Sequence, residues 1–213
     1  MSTQGNEAPA QKMALVWIAT LALVVLSIAA CIRWADYPTA DYFFGGHHHG
    51  WIGKFLGGRS LVAYETVIIG ALVIVRLARG RLPHFGKIVL IASAASVITY
   101  AVNGLLLKPF FGRLPPGDFT PSLNPAVFNY LQGSDASSFP SGHMALSGSF
   151  LAVLYRVYPR LRLPIMICVL VGCALLVSGD WHYISDVIAG TFIGVTVGLL
   201  AGELWIRHSG ERH

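Results

Sequence analysis

The sequence predicts an all-α integral membrane protein: a six-transmembrane-helix bundle with a candidate active site at the outer, membrane-facing ends of its helices. Three observations carry this. Hydrophobic residues make up 54% of the 213-residue chain and charged residues only 12%, against about 45–50% and about 25% in soluble domains. The apolar residues are gathered into uncharged or nearly uncharged runs of membrane-spanning length. Lysine and arginine fall mainly between the ends of those runs on one side. A mean hydropathy of +0.62 agrees. This composition excludes a disordered chain, a coiled coil, a collagen-like chain and an ordinary soluble domain. The net charge of +5 is spread over too few residues to form a broad basic face. It therefore reads as membrane topology, and no nucleic-acid partner is expected.

A membrane helix needs about 20 mostly apolar residues. Residues 13–32, 61–77, 88–107, 163–179 and 187–206 meet that requirement, and 144–157 is a shorter fourth span that can begin at Ser141–His143. Long leucine, valine and isoleucine runs do not alternate as the strands of a membrane barrel would. With six spans, both termini lie on one side. That side collects ten basic residues: Lys12, Arg76, Arg79, Arg81, Lys87, Arg156, Arg160, Arg162, Arg207 and Arg212. The other side holds five: Arg33, Lys54, Arg59, Lys108 and Arg113. The positive-inside rule then puts both termini in the cytoplasm. The expected organisation is a tail at 1–12, one membrane domain at 13–207 and a tail at 208–213. A bacterial inner membrane is the natural setting, with the site facing the periplasm.

Two segments interrupt the apolar runs. Residues 33–59 are rich in aromatics suited to the headgroup region, with His47-His48-His49 in their midst, which reads as an exposed polar loop. Residues 109–140 hold six of the eleven prolines, a density that forbids regular helix. Phe110, Phe111, Phe119, Phe128 and Tyr130 in that loop predict that it is ordered. Gly190, Gly194, Gly198 and Gly202 recur every four residues down the sixth span. Such a stripe lets a neighbouring backbone come close; packing inside the bundle is the expected use, with a dimer as the alternative. Cys31, Cys168 and Cys173 lie in or beside apolar helices, so neither a disulfide framework nor a metal site is expected.

Polar groups converge at one end of this bundle. Lys108 and Arg113 follow the third span, Ser141, Gly142 and His143 open the fourth, and Asp180, His182 and Asp186 lie between the fifth and sixth. Topology alone brings these three places to the outer face. His182 and Asp186, four apart, share a helix face. The carboxylate can hold one ring nitrogen and leave the other free to act as a nucleophile. Gly142 exposes amides at a helix start, where an anion is favoured, Ser141 adds a hydroxyl, and Lys108 and Arg113 add charge. Two histidines, a carboxylate, two cations and an anion nest suit phosphoryl transfer by positioning and charge stabilisation, without a metal or other cofactor. Glu65, inside the second span, is either a partner of those cations or a carboxylate reaching the interface.

The run Phe139-Pro140-Ser141-Gly142-His143, with His182-Tyr183-Ile184-Ser185-Asp186-Val187-Ile188-Ala189-Gly190 downstream, resembles the type 2 phosphatidic acid phosphatase (PAP2) superfamily, in its membrane lipid phosphatase branch. The resemblance implies that His182 takes the phosphoryl group, Asp186 orients it and His143 protonates the leaving oxygen. It also implies that Ser141, Gly142 and Lys108 hold phosphate oxygens and that water then hydrolyses a phosphohistidine. The implied substrate is a lipid phosphate monoester or diphosphate, such as phosphatidate, phosphatidylglycerol phosphate, an isoprenyl diphosphate or a phosphorylated glycolipid. The implied partners are that substrate and the surrounding membrane lipids.

The chain departs from the family pattern at two places. After six intervening residues beyond Lys108 the family has arginine and this chain has Pro115. Arg113, two positions early and following Gly112, is the candidate to bind phosphate instead. Six residues before His182 the family has arginine and this chain has Leu176. Loss of these cations keeps two alternatives open: a lipid headgroup phosphotransferase, or a non-catalytic lipid-binding or transport relative. The sequence does not specify an oligomeric state.

Overall fold

A computed structural model describes residues 7–43, 57–116 and 126–209. The His47–His49 run and residues 117–125 of the proline-rich loop lie outside them. Among the described residues all regular structure is helical: α1 (Glu7–Ala30), α2 (Asp36–Phe43), α3 (Gly58–Arg79), α4 (His84–Val102), α5 (Lys108–Phe111), α6 (Gly142–Val157), α7 (Arg162–Ser178) and α8 (Ile184–Ser209). Five stretches are long and apolar enough to cross a membrane: Gln11–Phe43, Gly58–Arg79, His84–Phe111, Pro159–Ser178 and Ile184–Ser209. The sixth expected span, α6, has 16 residues. It lies in the middle of the bundle rather than against lipid, with residues such as Ala145, Val153 and Val157 buried.

Two helices run further than the sequence suggests. The first continues past Arg33 to Phe43 through a π-turn at Cys31–Ala35. The third continues past Leu107 to Phe111 through a π-turn at Asn103–Leu107. Pro38 and Pro109 follow closely. A proline nitrogen cannot donate to the preceding turn, and a widened turn is one way for a helix to pass it. The proline-rich loop therefore begins at Gly112 rather than Pro109. Gly112 has a φ of +60°, and a Cβ there would collide with the carbonyl of Asn129. That position needs glycine.

The core is built by α6 and α8. A Cβ at Gly190, Gly194 or Gly198 would strike the carbonyl of Ser141, Ala145 or Ser149 respectively, and one at Gly202 would meet the Arg156 side chain. The glycine stripe thus packs within the chain, allowing α8 to lie directly on α6. Ile88, Ala92 and Ala95 of α4 close one side of α6 against Val153 and Val157. Met144 of α6, Leu176 of α7 and Val187 of α8 close the other. Arg156 and Arg207 both bond Glu203, tying α6 to α8 at the end remote from the histidines. By contrast, no residue of α3 is fully buried, and the described part of α1 presents Leu21, Leu23 and Leu26 outward.

Candidate active site

The site lies where α6 and α8 begin. Ser141 caps α6, its hydroxyl accepting the Met144 amide at 3.4 Å, and its own N–H donates to the Asp186 carbonyl at 3.0 Å. This pins the two helix starts together. The backbone turns sharply before α8, with Asp180 at a φ of +59°, a conformation aspartate tolerates better than most residues. The amides of Trp181 and His182 both donate to the Leu176 carbonyl. His182 is thereby aimed at His143: the Nδ1 of His143 and the Nε2 of His182 are 3.1 Å apart. Trp181 leans on His143, ring centroids 5.0 Å apart.

Asp186 stands behind His182. Its Oδ2 is 3.6 Å from His182 Nδ1, an ion-pair separation slightly beyond hydrogen-bond length. The same oxygen accepts the Tyr183 amide at 3.0 Å. Burial pushes the His182 imidazole below its ordinary pKa, and the Lys108 charge acts in the same direction; Asp186 opposes both. The lowering favours the neutral imidazole, whose lone pair is available.

Lys108 comes to the same place. Its Cε lies 3.6 Å from the point where Gly142 would carry a Cβ, and its Nζ donates to the Asp135 carbonyl at 3.0 Å. Asn103 donates to the Pro140 carbonyl at 3.1 Å, holding the loop that delivers Ser141. A third cation stands nearby. Arg59, at the start of α3, pairs with the Asp135 carboxylate at 2.8 Å, largely exposed. That pair lies far apart in sequence, and only the fold brings it to Lys108. Glu65 pairs with neither Lys108 nor Arg113; its Oε2 is buried without a hydrogen-bond partner among the described residues.

Arg113 departs from its expected role. It was expected to face substrate; its side chain is 1% exposed and turned inward. Its guanidinium donates to Asp186 Oδ1 at 2.6 Å, to Ser185 Oγ at 2.7 Å and to Asp36 Oδ2 at 2.7 Å. It also stacks over the Tyr183 ring at 4.0 Å. Burial works against its charge, but Asp186 and Asp36 outweigh it and raise the pKa further. The reason is geometric. The left-handed turn at Gly112 directs the next residue into the bundle, and Ser138 ties it there by donating its amide to the Arg113 carbonyl at 2.8 Å. Phe111, Phe128 and Phe139 pack edge to face around this turn, which orders the described parts of the loop. Leu176 is part of the apolar cluster with Met144 and Val187, so that position has become core.

Residues 86–207 match the PAP2 superfamily, and they contain both histidines, Asp186, Lys108 and Ser141. The chain belongs to the PAP2 superfamily. It is 34% identical over 116 residues to the lipid A 1-phosphatase of Rhizobium johnstonii, a match covering 51% of this chain and 46% of that protein. It is 28% identical over 152 residues to the decaprenylphosphoryl-5-phosphoribose phosphatase of Mycobacterium tuberculosis, covering 71% of this chain and 81% of that one. The chain thus spans about half the length of the first of these PAP2 relatives. A crystal structure of the transmembrane PAP2-type phosphatidylglycerolphosphate phosphatase from Bacillus subtilis aligns over 92% of this chain and 97% of that one, at 16% identity and a TM-score of 0.48. Apolar helices and PAP2 membership together make this an integral membrane protein. Among the described residues no group of His, Cys, Asp and Glu could hold a metal ion.

Proposed function

We propose that this PAP2 protein is a lipid phosphatase acting through a phosphohistidine at the outer face of the membrane. The observation that carries the reading is the 3.1 Å approach of His143 Nδ1 to His182 Nε2, with Asp186 behind His182. A phosphorus atom must come within about 3–3.5 Å of the attacking nitrogen, so the two rings part as the phosphoryl group enters between them. His182 Nε2 attacks phosphorus, and the bond from phosphorus to the lipid oxygen breaks. Protonated His143 gives its proton to that oxygen. Water then attacks the phosphohistidine, His143 takes its proton, and inorganic phosphate leaves. Lys108, the Ser141 hydroxyl and the amides at the start of α6 balance the phosphate charge. The unequal distribution of basic residues supports an active site on the side away from both termini.

The substrate class follows from the surroundings. An apolar groove of about 800 Å³ runs between α1, α7 and α8, and it reaches the active-site turn at Val177, Ile184 and Val187. It suits the hydrocarbon of a lipid whose phosphate meets His182. The two bacterial relatives are named as phosphatases of lipid A and of decaprenylphosphoryl-5-phosphoribose, so a phosphorylated glycolipid is the first substrate to try.

One observation favours a second reading. With Arg113 turned inward and Leu176 in the core, Lys108 is the basic residue left of the expected phosphate grip, which suits a headgroup phosphotransferase handling a less charged donor. One assay separates the readings. The detergent-purified protein is given phosphorylated lipids with and without acceptor alcohols and chelator. Phosphate release that survives chelator and disappears in His182→Ala supports the phosphatase. Transfer to alcohol without free phosphate supports the transferase. Retained lipid binding without turnover overturns both.

A further inference from the structure

Asp36 is among the most deeply buried charged residues of the molecule, with no exposed surface, and it has no part in the chemistry above. It sits at the start of α2, on the helix system that otherwise faces lipid. It lies outside the region shared with the family. Its Oδ1 accepts the Ser185 amide at 3.1 Å. Its Oδ2 accepts the Ser185 hydroxyl at 2.5 Å and the Arg113 guanidinium at 2.7 Å. Arg113 is therefore shared between two carboxylates, Asp36 on one nitrogen and Asp186 on the other.

The charge count explains the arrangement. Arg113 with Asp186 alone would be neutral, and the Asp186 carboxylate would be fully satisfied by arginine. Adding Asp36 leaves the buried group with one net negative charge. Asp186 is the member that faces His182, at 3.6 Å, so the surplus is felt at the imidazole. We propose that Asp36 is a positioning residue: by holding the far side of Arg113 it keeps Asp186 available to orient and stabilise His182. A carboxylate that merely caps α8 would need only the Ser185 amide. This proposal rests on His182 acting as the nucleophile, and its test is chosen to be readable without turnover.

The titratable and charged groups that act on His182 are His143 from α6, Lys108 from α5 and Asp186 from α8, with Arg113 and Asp36 behind Asp186. Substitutions at Asp36 and Arg113 alter only this last charge pair. In Asp36→Asn the group becomes neutral, and the His182 pKa falls by about one unit. In Arg113→Gln the group carries two negative charges, and the pKa rises by a similar amount. In the double variant the charge returns to that of the natural protein, and so does the titration. The readout is the NMR titration of isotope-labelled histidine in detergent micelles, with the His182 signal assigned by His182→Gln. In the phosphatase assay the acid limb of the kcat profile moves with it, and kcat in Asp36→Asn falls about 10–100-fold with little change in KM.

Opposite shifts in the single variants and recovery in the double variant are the expected result. An unmoved His182 titration in Asp36→Asn, or a double variant shifted as far as that single, overturns the proposal. Should Asp36→Asn fail to fold, removing Asp36 in the Arg113→Gln background must still lower the pKa by about one unit, and no shift there overturns it. Absence of phosphatase activity with these NMR shifts intact would contradict the proposed function alone.

Discussion

The α6–α8 pair and the α1–α3 flank are made from similar amino acids and are built on opposite principles. In the first, three glycines bring two backbones into contact, a fourth packs on Arg156, and both histidines sit at or just before the helix starts. In the second, leucines and valines point outward, and no residue of α3 is fully buried. Lipid takes the place of a protein core there, so helix identity matters more than side-chain fit. The exception is Asp36, which reaches from the flank into the centre of the pair. The difference predicts where substitution is tolerated, and the contrast can be tested at five strengths.

The largest effect belongs to the chemistry. His182→Ala lowers kcat by at least about 1,000-fold, with folding unchanged by thermal unfolding in detergent. Next is the buried charge. Arg113→Met strands two buried carboxylates and costs about 3–5 kcal/mol by thermal unfolding in detergent; a larger loss of activity than of stability would return Arg113 to the phosphate. The close packing follows. Gly198→Leu places a side chain against the Ser149 carbonyl, and forcing α8 away from α6 costs about 1–3 kcal/mol, seen as lost thermal stability and lost activity together. Lys108→Gln, which keeps a polar side chain one atom shorter but removes the charge, raises KM for a lipid phosphate about 10-fold or more, as loss of one charge-assisted contact predicts. The smallest effect is on the flank: Leu23→Ala, with its side chain in lipid, changes stability by less than about 0.5 kcal/mol.

The pH dependence has a definite sign. The His182 pKa is lowered by burial, so the neutral nucleophile persists below the usual histidine range. Activity is then retained as pH falls and is lost only when His182 protonates. Asp186→Asn removes the group opposing that shift and moves the acid limb of the kcat/KM profile further down, while lowering its plateau.

The long apolar runs and the meeting of His143, His182 and Asp186 were legible in the sequence, because both follow from hydropathy and topology. The glycine period was legible as a close contact inside the bundle, and α8 packs on α6 along it. What escaped was set by backbone detail. Arg113 reads as a free cation until the left-handed turn at Gly112 points it inward. Asp36 follows Arg33 beyond the first apolar run and reads as loop, because the π-turn that carries the helix past Pro38 has no sequence signature. Arg59 and Asp135 lie 76 residues apart and meet at Lys108 only in the folded chain. Leu176 was visible as a missing arginine, yet its packing against Met144 and Val187 needed the structure.

The most direct test of the account is to trap the reaction on His182. The purified protein is mixed with a phosphorylated lipid, quenched in alkali within one turnover, digested and analysed by peptide mass. The account predicts a phosphoryl group on the peptide containing His182, stable in alkali, released by acid and absent from His182→Gln. Turnover with that peptide unmodified, or with the phosphoryl group on another residue, would contradict it.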